Sequence, residues 1–141
     1  MDINRVTPFL VAQSVILVGL TGYIFFAPGE WNAVRWIAVA IALPSMVLFL
    51  IARYQLGQSF SVTAQAHELV THGIYSKVRN PIYVFGGLVI LGFMLTLQSH
   101  MFLLVFLVMI PVQIKRARNE ARVLEEKFGD GYRDYRRKTW F

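Results

Sequence analysis

The longest uncharged stretch of the chain, from Ile82 to Ile114, limits the possible folds more than any other feature. As one straight helix it would extend about 50 Å at roughly 1.5 Å per residue, whereas the hydrocarbon core of a bilayer is about 30 Å thick. Its polar cluster, Gln98-Ser99-His100, lies near the middle. The pattern therefore predicts a helical hairpin, with one arm over residues 81–97 and the other over residues 101–127.

Two shorter apolar runs precede this hairpin. They predict helices over residues 8–26 and 34–53, with a kink at Pro44 in the second. The first run lacks the cleavage pattern of a signal peptide, so we expect it to remain as an anchor. The chain is therefore interpreted as an all-α integral membrane protein with about four transmembrane helices, forming a single membrane-embedded domain over residues 1–141.

Composition agrees with this fold class. The chain is 56% apolar and 16% charged, whereas soluble domains are about 45–50% apolar and about 25% charged. This excess argues against a soluble enzyme and against a disordered chain, because 141 residues enclose too little volume to bury it. The absence of cysteine excludes a thiol nucleophile and a thiolate metal site.

The distribution of charge predicts the orientation. With four membrane helices, all of the 14 basic residues except Arg35 fall on one side. The positive-inside rule then makes both termini cytoplasmic, in an inner or plasma membrane. The tail at residues 115–141 alternates in sign, which favours attraction to anionic lipid over nucleic-acid binding.

The polar side chains that could bind a ligand or catalyse a reaction lie in the tail and in the polar loop at residues 54–80. Both segments are on the predicted cytoplasmic side. The ordered motifs are LGQSFS (56–61), LVTHGIYSKVRNPIYVFGG (69–87), R-x-x-x-E (116–120) and EEKFGDGYRDYRRK (125–138). Around an apolar hairpin, this order resembles the isoprenylcysteine carboxyl methyltransferase and phospholipid methyltransferase family, membrane enzymes that use S-adenosylmethionine. The resemblance extends from about Leu56 to the end of the chain.

The resemblance implies a cofactor pocket at the inner leaflet, roofed by the loop and the tail. It implies that Glu120 pairs with the ammonium of S-adenosylmethionine and that Arg116 or Arg79 binds its carboxylate. Tyr75 and Tyr83 would contact the adenosine. The complete set of cofactor-binding candidates is His72, Gly73, Tyr75, Arg79, Asn80, Pro81, Tyr83, Gly86, Gly87, Arg116, Glu120, Tyr132 and Tyr135.

Two positions depart from the family pattern, which often has His at position 80 and Glu at position 121. Asn80 cannot titrate near neutral pH, and Ala121 removes a second carboxylate beside Glu120. Arg79 and Asn80 remain the candidates for a catalytic role. The two departures leave open an alternative function, a non-catalytic membrane protein that binds lipid or assists assembly on the same scaffold.

The same residues also have purely structural interpretations. Arg116 and Glu120 can form an ion pair on one helix face, and the tyrosines can be aromatic residues at the membrane interface. Gly86-Gly87 can serve helix packing, while Asn80 and Pro81 suit the cap and first turn of the third helix.

The sequence also predicts which molecules the protein binds. The histidines lack metal-ligand spacing, so we expect no metal. The expected partners are the lipid bilayer, a lipophilic or small methyl acceptor, and a second copy of the chain in a homodimer that encloses the pocket. A prenylcysteine carboxylate, a phospholipid amine, an isoprenoid and a small thiol or amine all remain open as acceptors.

Overall fold

The structure is a computed structural model that describes residues 3–57 and 69–141, apart from the side chains of residues 3–7 and 9. Within these ranges the fold is all-helical. Its elements are α1 (Ile3–Phe26), α2 (Ala33–Leu56), a 3-10 turn (Gly73–Ser76), α3 (Pro81–Thr96), α4 (His100–Phe128) and α5 (Asp130–Lys138). The motif LGQSFS lies mostly outside the described residues. α1 begins earlier than the predicted residue 8, and α2 continues unbroken through Pro44.

Two of the described helices, α2 and α4, are long and apolar enough to cross a membrane. α3 and the Leu10–Phe26 part of α1 are apolar but shorter. Large apolar side chains are exposed on the helices, including Val18 at 72% and Val108 at 68%. Exposed apolar surface of this extent is suited to contact with lipid.

The helix ends follow the local sequence. The side chain of Asn32 caps α2 by accepting a hydrogen bond from the Arg35 N–H at 3.1 Å. Pro81 begins α3, where its missing N–H leaves no intrahelical bond unmade. Gly129 ends α4 with φ +53°, a conformation that favours glycine. The chain therefore breaks between α4 and α5, which allows the tail to turn back.

Asn80 holds the cap position of α3, but its side chain makes no capping hydrogen bond. The predicted side-chain cap is therefore wrong. The backbone N–H of Asn80 instead donates to the carbonyl oxygen of Phe141 at 2.9 Å. A segment distant in sequence thus contributes to the start of α3.

α2 and α3 pack in unusually close contact at Gly92. A Cβ atom added to Gly92 would lie 2.7 Å from Ala42 Cβ and 2.9 Å from the Ala38 carbonyl oxygen. Ala38 and Ala42 are themselves fully buried. Small residues on both helices permit this approach, as they do between membrane helices generally. α1 and α4 pack against this pair of helices.

At the opposite end from the tail, α1 and α2 are joined by the buried guanidinium of Arg35, which is 1% exposed. It donates hydrogen bonds of 2.8–3.3 Å to main-chain carbonyls at the end of α1 and in the following loop. These carbonyls belong to Ile24, Phe25, Ala27 and Gly29. A cation at the C-terminus of a helix is also favoured by the helix dipole.

Arg35→Met is expected to destabilise the protein by about 3 kcal/mol, because it leaves several buried carbonyls without donors. Thermal unfolding of the purified protein in detergent would measure this loss. Arg137→Met is the matched control, because Arg137 forms only an exposed ion pair with Asp134. Equal melting temperatures for the two variants would contradict a structural role for Arg35.

The last residues, Thr139–Phe141, form a segment that we call the strap. Trp140 N–H donates to the Lys77 carbonyl at 2.8 Å, and the Trp140 carbonyl accepts from Arg79 N–H at 2.9 Å. With the bond from Asn80 to Phe141, the strap lies parallel to the residues that lead into α3. The strap therefore fixes the backbone of Arg79.

Candidate functional site

Three buried tyrosines hold α5 against the 3-10 turn. The Tyr135 hydroxyl donates to the Tyr75 carbonyl at 2.7 Å, and the rings of Tyr132 and Tyr135 have centroids 6.2 Å apart. All three side chains are buried: Tyr132 is completely buried, and Tyr75 is 6% exposed. The tail thereby reaches the loop across about sixty residues of sequence.

The 3-10 turn depends on Gly73, which has φ +60°. A Cβ atom at this position would overlap the side chain of Gln55. Gln55 Oε1 accepts a hydrogen bond from Ile74 N–H at 2.8 Å, so α2 holds the turn directly. Gly73 therefore has a conformational role: it permits the turn that positions Tyr75.

Glu120 of α4 lies next to α3. Its carboxyl and the Arg116 guanidinium both lie close enough to the Tyr83 hydroxyl to act on it electrostatically. Among the described residues, no direct ion pair joins Arg116 to Glu120. Both charges therefore act on one phenol of the neighbouring helix α3.

Arg79 and Glu120 both act electrostatically on the buried phenol of Tyr132. The pKa of Tyr132 is raised by burial, lowered by the charge of Arg79 and raised by that of Glu120. The pKa of Tyr75 is likewise raised, first by burial and then by the charge of Glu120. One electrostatic neighbourhood therefore contains seven of the residues predicted for the site. We call it the polar cluster: Tyr75, Arg79, Tyr83, Arg116, Glu120, Tyr132 and Tyr135.

Burial sets the protonation of the cluster. It raises the pKa of Tyr135 to about 12, assisted by the neighbouring Tyr132 and opposed by Arg79. The phenols are therefore neutral donors at physiological pH. Glu120 lies beyond the apolar part of α4, which ends at Ile114, and burial also raises the pKa of its carboxyl. The hydrogen bond from Tyr83 and the charge of Arg116 act in the opposite direction and favour the carboxylate.

Three polar atoms of the cluster are buried and have no hydrogen-bond partner within the described part of the chain. They are Tyr75 Oη, Arg79 Nε and Tyr132 Oη. A buried polar group without a partner costs about 1–3 kcal/mol, so such groups normally have a reason to be retained. All three can donate a hydrogen bond, which fits them to a ligand that carries acceptor atoms.

An apolar cavity of about 340 Å³ opens between α3 and α4 and begins at the polar cluster. We call it the apolar groove. Tyr83, Gly87 and Ile90 line it from α3, Phe106, Ile110 and Gln113 from α4, and Trp140 and Phe141 from the strap. Tyr83 belongs to both features, so a ligand in the groove has one end beside Glu120 and Arg116.

The two glycines of α3 have different surroundings. A Cβ atom on Gly86 would lie 3.3 Å from the ring of Phe49 in α2, so this glycine serves helix packing. A Cβ atom on Gly87 would meet nothing within 4 Å, and Gly87 lines the apolar groove. Of the pair, Gly87 is the one that leaves space for a ligand.

The remaining predicted residues lie at the margin of the cluster. His72 is exposed and precedes the 3-10 turn, where its carbonyl accepts from Tyr75 N–H at 3.1 Å. Pro81 is fully buried at the start of α3. Asn80 is half-buried beside the strap. The structure brings neither His72 nor Asn80 into the electrostatic contacts of Glu120.

Sequence reasoning missed two contributions. Arg53, at the end of α2, is 2% exposed, donates to Gln13 Oε1 at 3.0 Å and influences the Tyr75 hydroxyl by its charge. Its position at the edge of an apolar run suggested only a positive-inside charge. Trp140 and Phe141 were missed because no periodicity or motif relates them to the loop at Lys77.

Comparison with known proteins identifies the family. The family model for phospholipid methyltransferases matches residues 32–131, which include every predicted site residue except Tyr132 and Tyr135. A protein-S-isoprenylcysteine O-methyltransferase of Schizosaccharomyces pombe is 39% identical over 94 residues, which cover 62% of this chain. The match spans 40% of that relative's length. No solved structure matches the chain.

These findings confirm the resemblance noted from the motifs. The match covers α2 to α4 and the first two residues of α5, which include the part of the polar cluster and of the apolar groove that α3 and α4 supply. The matching model is that of phospholipid methyltransferases, and two of the described helices are long and apolar enough to cross a membrane. The chain belongs to the phospholipid methyltransferase family.

Proposed function

We propose that the protein transfers a methyl group from S-adenosylmethionine to a lipophilic acceptor at the inner leaflet of a membrane. The observation that carries the proposal is the junction at Tyr83, where the polar cluster meets the apolar groove. A water-soluble, charged donor needs the first environment, and an acceptor dissolved in lipid needs the second. Methyl transfer requires the two to be held in line and away from water.

The residues of the cluster fit the cofactor. Its ammonium requires an anion, for which the half-buried Glu120 beside Tyr83 is available. Its carboxylate requires a cation, for which Arg79 and Arg116 are available. The orphaned donors on Tyr75, Arg79 and Tyr132 suit the acceptor atoms of an amino acid and a nucleoside. When bound, the cofactor supplies a methyl group activated by its sulfonium.

The remaining candidates have supporting roles in this proposal. Gly73, His72 and Pro81 shape the loop and the start of α3 around Tyr75 and Tyr83. Asn80 and Tyr135 hold the strap and the 3-10 turn in place. Gly87 leaves the groove open beside Tyr83, and Gly86 seats α3 on α2.

We further propose a carboxylate as the accepting group, as in the S-isoprenylcysteine named for the yeast relative. The cluster offers two guanidiniums, one for the carboxylate of the cofactor and one for that of the acceptor. A carboxylate is nucleophilic without losing a proton, whereas a phospholipid ammonium needs a base. Asn80, at the position where the family often has His, supplies none.

The membrane arrangement belongs to the same proposal. α1 to α4 cross the bilayer, and the termini, α5 and the strap lie on the cytoplasmic side. This places the cluster at the inner leaflet, and it leaves Arg35 as the single basic residue at the far side. Two copies of the chain assembling in the bilayer would enclose the outward face of the groove in a homodimer.

The test uses the purified protein in detergent, with methyl-labelled S-adenosylmethionine and S-prenylcysteine. We expect saturable cofactor binding by calorimetry and labelled product that releases its label in alkali, as a methyl ester does. The carboxamide of the same S-prenylcysteine is the matched control and should stay unlabelled. Alkali-stable label in phosphatidylethanolamine would show that the accepting group is an amine and not a carboxylate. The absence of any saturable heat would instead support a non-catalytic protein on this scaffold.

A further inference from the structure

The strap closes one side of the apolar groove. The backbone bonds of the strap to Lys77, Arg79 and Asn80 place it at the end of the groove where α3 begins. The side chains of Trp140 and Phe141 line the groove, yet they remain 68% and 39% exposed. A large aromatic side chain that lines a cavity while partly exposed gains burial when the cavity is occupied.

The positions of the lining residues along α3 give the length of the groove. Tyr83, Gly87 and Ile90 lie on one face of α3 and span about 10 Å at roughly 1.5 Å per residue. An extended chain advances about 3.5 Å for every three bonds. The groove therefore holds about nine bonds in a row, which is about two isoprene units of four chain bonds each. The strap lies beside the first of these units, and Ile90 marks the far end.

From this arrangement, and resting on the proposed function, we propose that Trp140 and Phe141 determine acceptor specificity by forming the wall against the first part of the acceptor's apolar chain. The occupant is the chain of the methyl acceptor, because the groove begins at Tyr83 within the polar cluster. The main-chain bonds of the strap also hold Arg79 N–H. Changing the side chains leaves those bonds in place, so the wall can be altered without moving the cofactor residues.

The first experiment follows Trp140 itself and needs no methyl transfer. Trp31 and Trp36, in the loop before α2 and in its first turn, are replaced by phenylalanine, which leaves Trp140 as the sole tryptophan. S-prenylcysteines with one, two and three isoprene units are then titrated in detergent. We expect a blue shift of the Trp140 emission with all three probes. Affinity should rise about tenfold from one unit to two and change little with the third.

Gly87→Leu serves as the matched variant, because a Cβ atom at this position meets no protein atom within 4 Å and the position lines the middle of the groove. In that variant we expect the shift to be lost for the probes of two and three units. An unchanged titration in Gly87→Leu would overturn the proposal. A shift with dioleoylphosphatidylcholine and none with the prenylcysteines would also overturn it, since the occupant would then be a bilayer lipid.

The second experiment measures transfer. Trp140→Ala and the milder Phe141→Leu are expected to raise the KM for the two-unit acceptor about tenfold, with the Kd for S-adenosylmethionine unchanged. Unchanged KM values in both variants would overturn the proposal that Trp140 and Phe141 contact the acceptor's apolar chain. A wild-type protein that shows the fluorescence shift but no cofactor binding would refute the proposed function and leave the groove assignment standing.

Discussion

Glu120→Gln is expected to weaken the binding of S-adenosylmethionine by about tenfold to a hundredfold. In the proposed site this carboxylate is the anionic partner of the cofactor's ammonium, and hydrogen bonds to charged groups contribute about 1.5–3 kcal/mol. Glutamine keeps the size and an acceptor oxygen, so Tyr83 retains its partner. The change therefore removes charge with little effect on packing, and calorimetry on the purified protein measures the result.

The matched control for this variant is Glu126→Gln. Glu126 lies on the same helix and is exposed, so its substitution removes the same charge from α4 outside the cluster. We expect wild-type cofactor affinity in the control. Wild-type affinity in Glu120→Gln as well would remove Glu120 from the site, and the proposed function would lose the residue on which it most depends.

Gly92→Leu is expected to prevent α2 and α3 from packing, which would abolish the yield of folded protein. The smaller change Gly92→Ala already places a Cβ atom 2.7 Å from Ala42 Cβ. Overpacking of this kind costs about 1–3 kcal/mol, which lowers the Tm of a chain of this size by about 5–10 °C. The double variant Gly92→Ala with Ala42→Gly should recover part of the loss.

Thermal unfolding in detergent distinguishes this contact from a general effect of altering a helical glycine. Gly87→Ala, in the same helix, is the control, because its added methyl group meets open space and alanine is the better helix former. We expect Gly87→Ala to melt at or slightly above the wild-type temperature. If Gly92→Ala had the same Tm as Gly87→Ala, the close packing of α2 on α3 would have no energetic importance.

Much of the fold could be predicted because it follows from local sequence. An uncharged run too long for one span, interrupted by polar residues, required a turn, and Gln98 has the positive φ of that turn. Pro81 and Gly129 begin and end helices for steric reasons that involve only neighbouring residues. The expectation that Arg79 and Glu120 share one site came from the family resemblance, not from local sequence.

What could not be predicted depends on contacts between distant segments. A pair of adjacent glycines gives no sign of which one faces Phe49 and which one faces a cavity, because helix rotation decides it. The side-chain cap expected of Asn80 failed because the strap supplies the partner of its N–H from far along the chain. The phenol between Arg116 and Glu120 comes from a different helix, so the spacing of the two charges suggested only a pair.

The carbonyls around Arg35 have a consequence for comparing relatives. Every acceptor in that arrangement is main chain, so the hydrogen bonds themselves place no demand on the residue types at Phe25 and Ala27, whereas Ile24 is constrained by its burial in the core. Covariation between aligned positions would record no signal for one of the firmest links in the molecule. Chimeras that exchange the first helix between family members should therefore keep these hydrogen bonds wherever the arginine is retained.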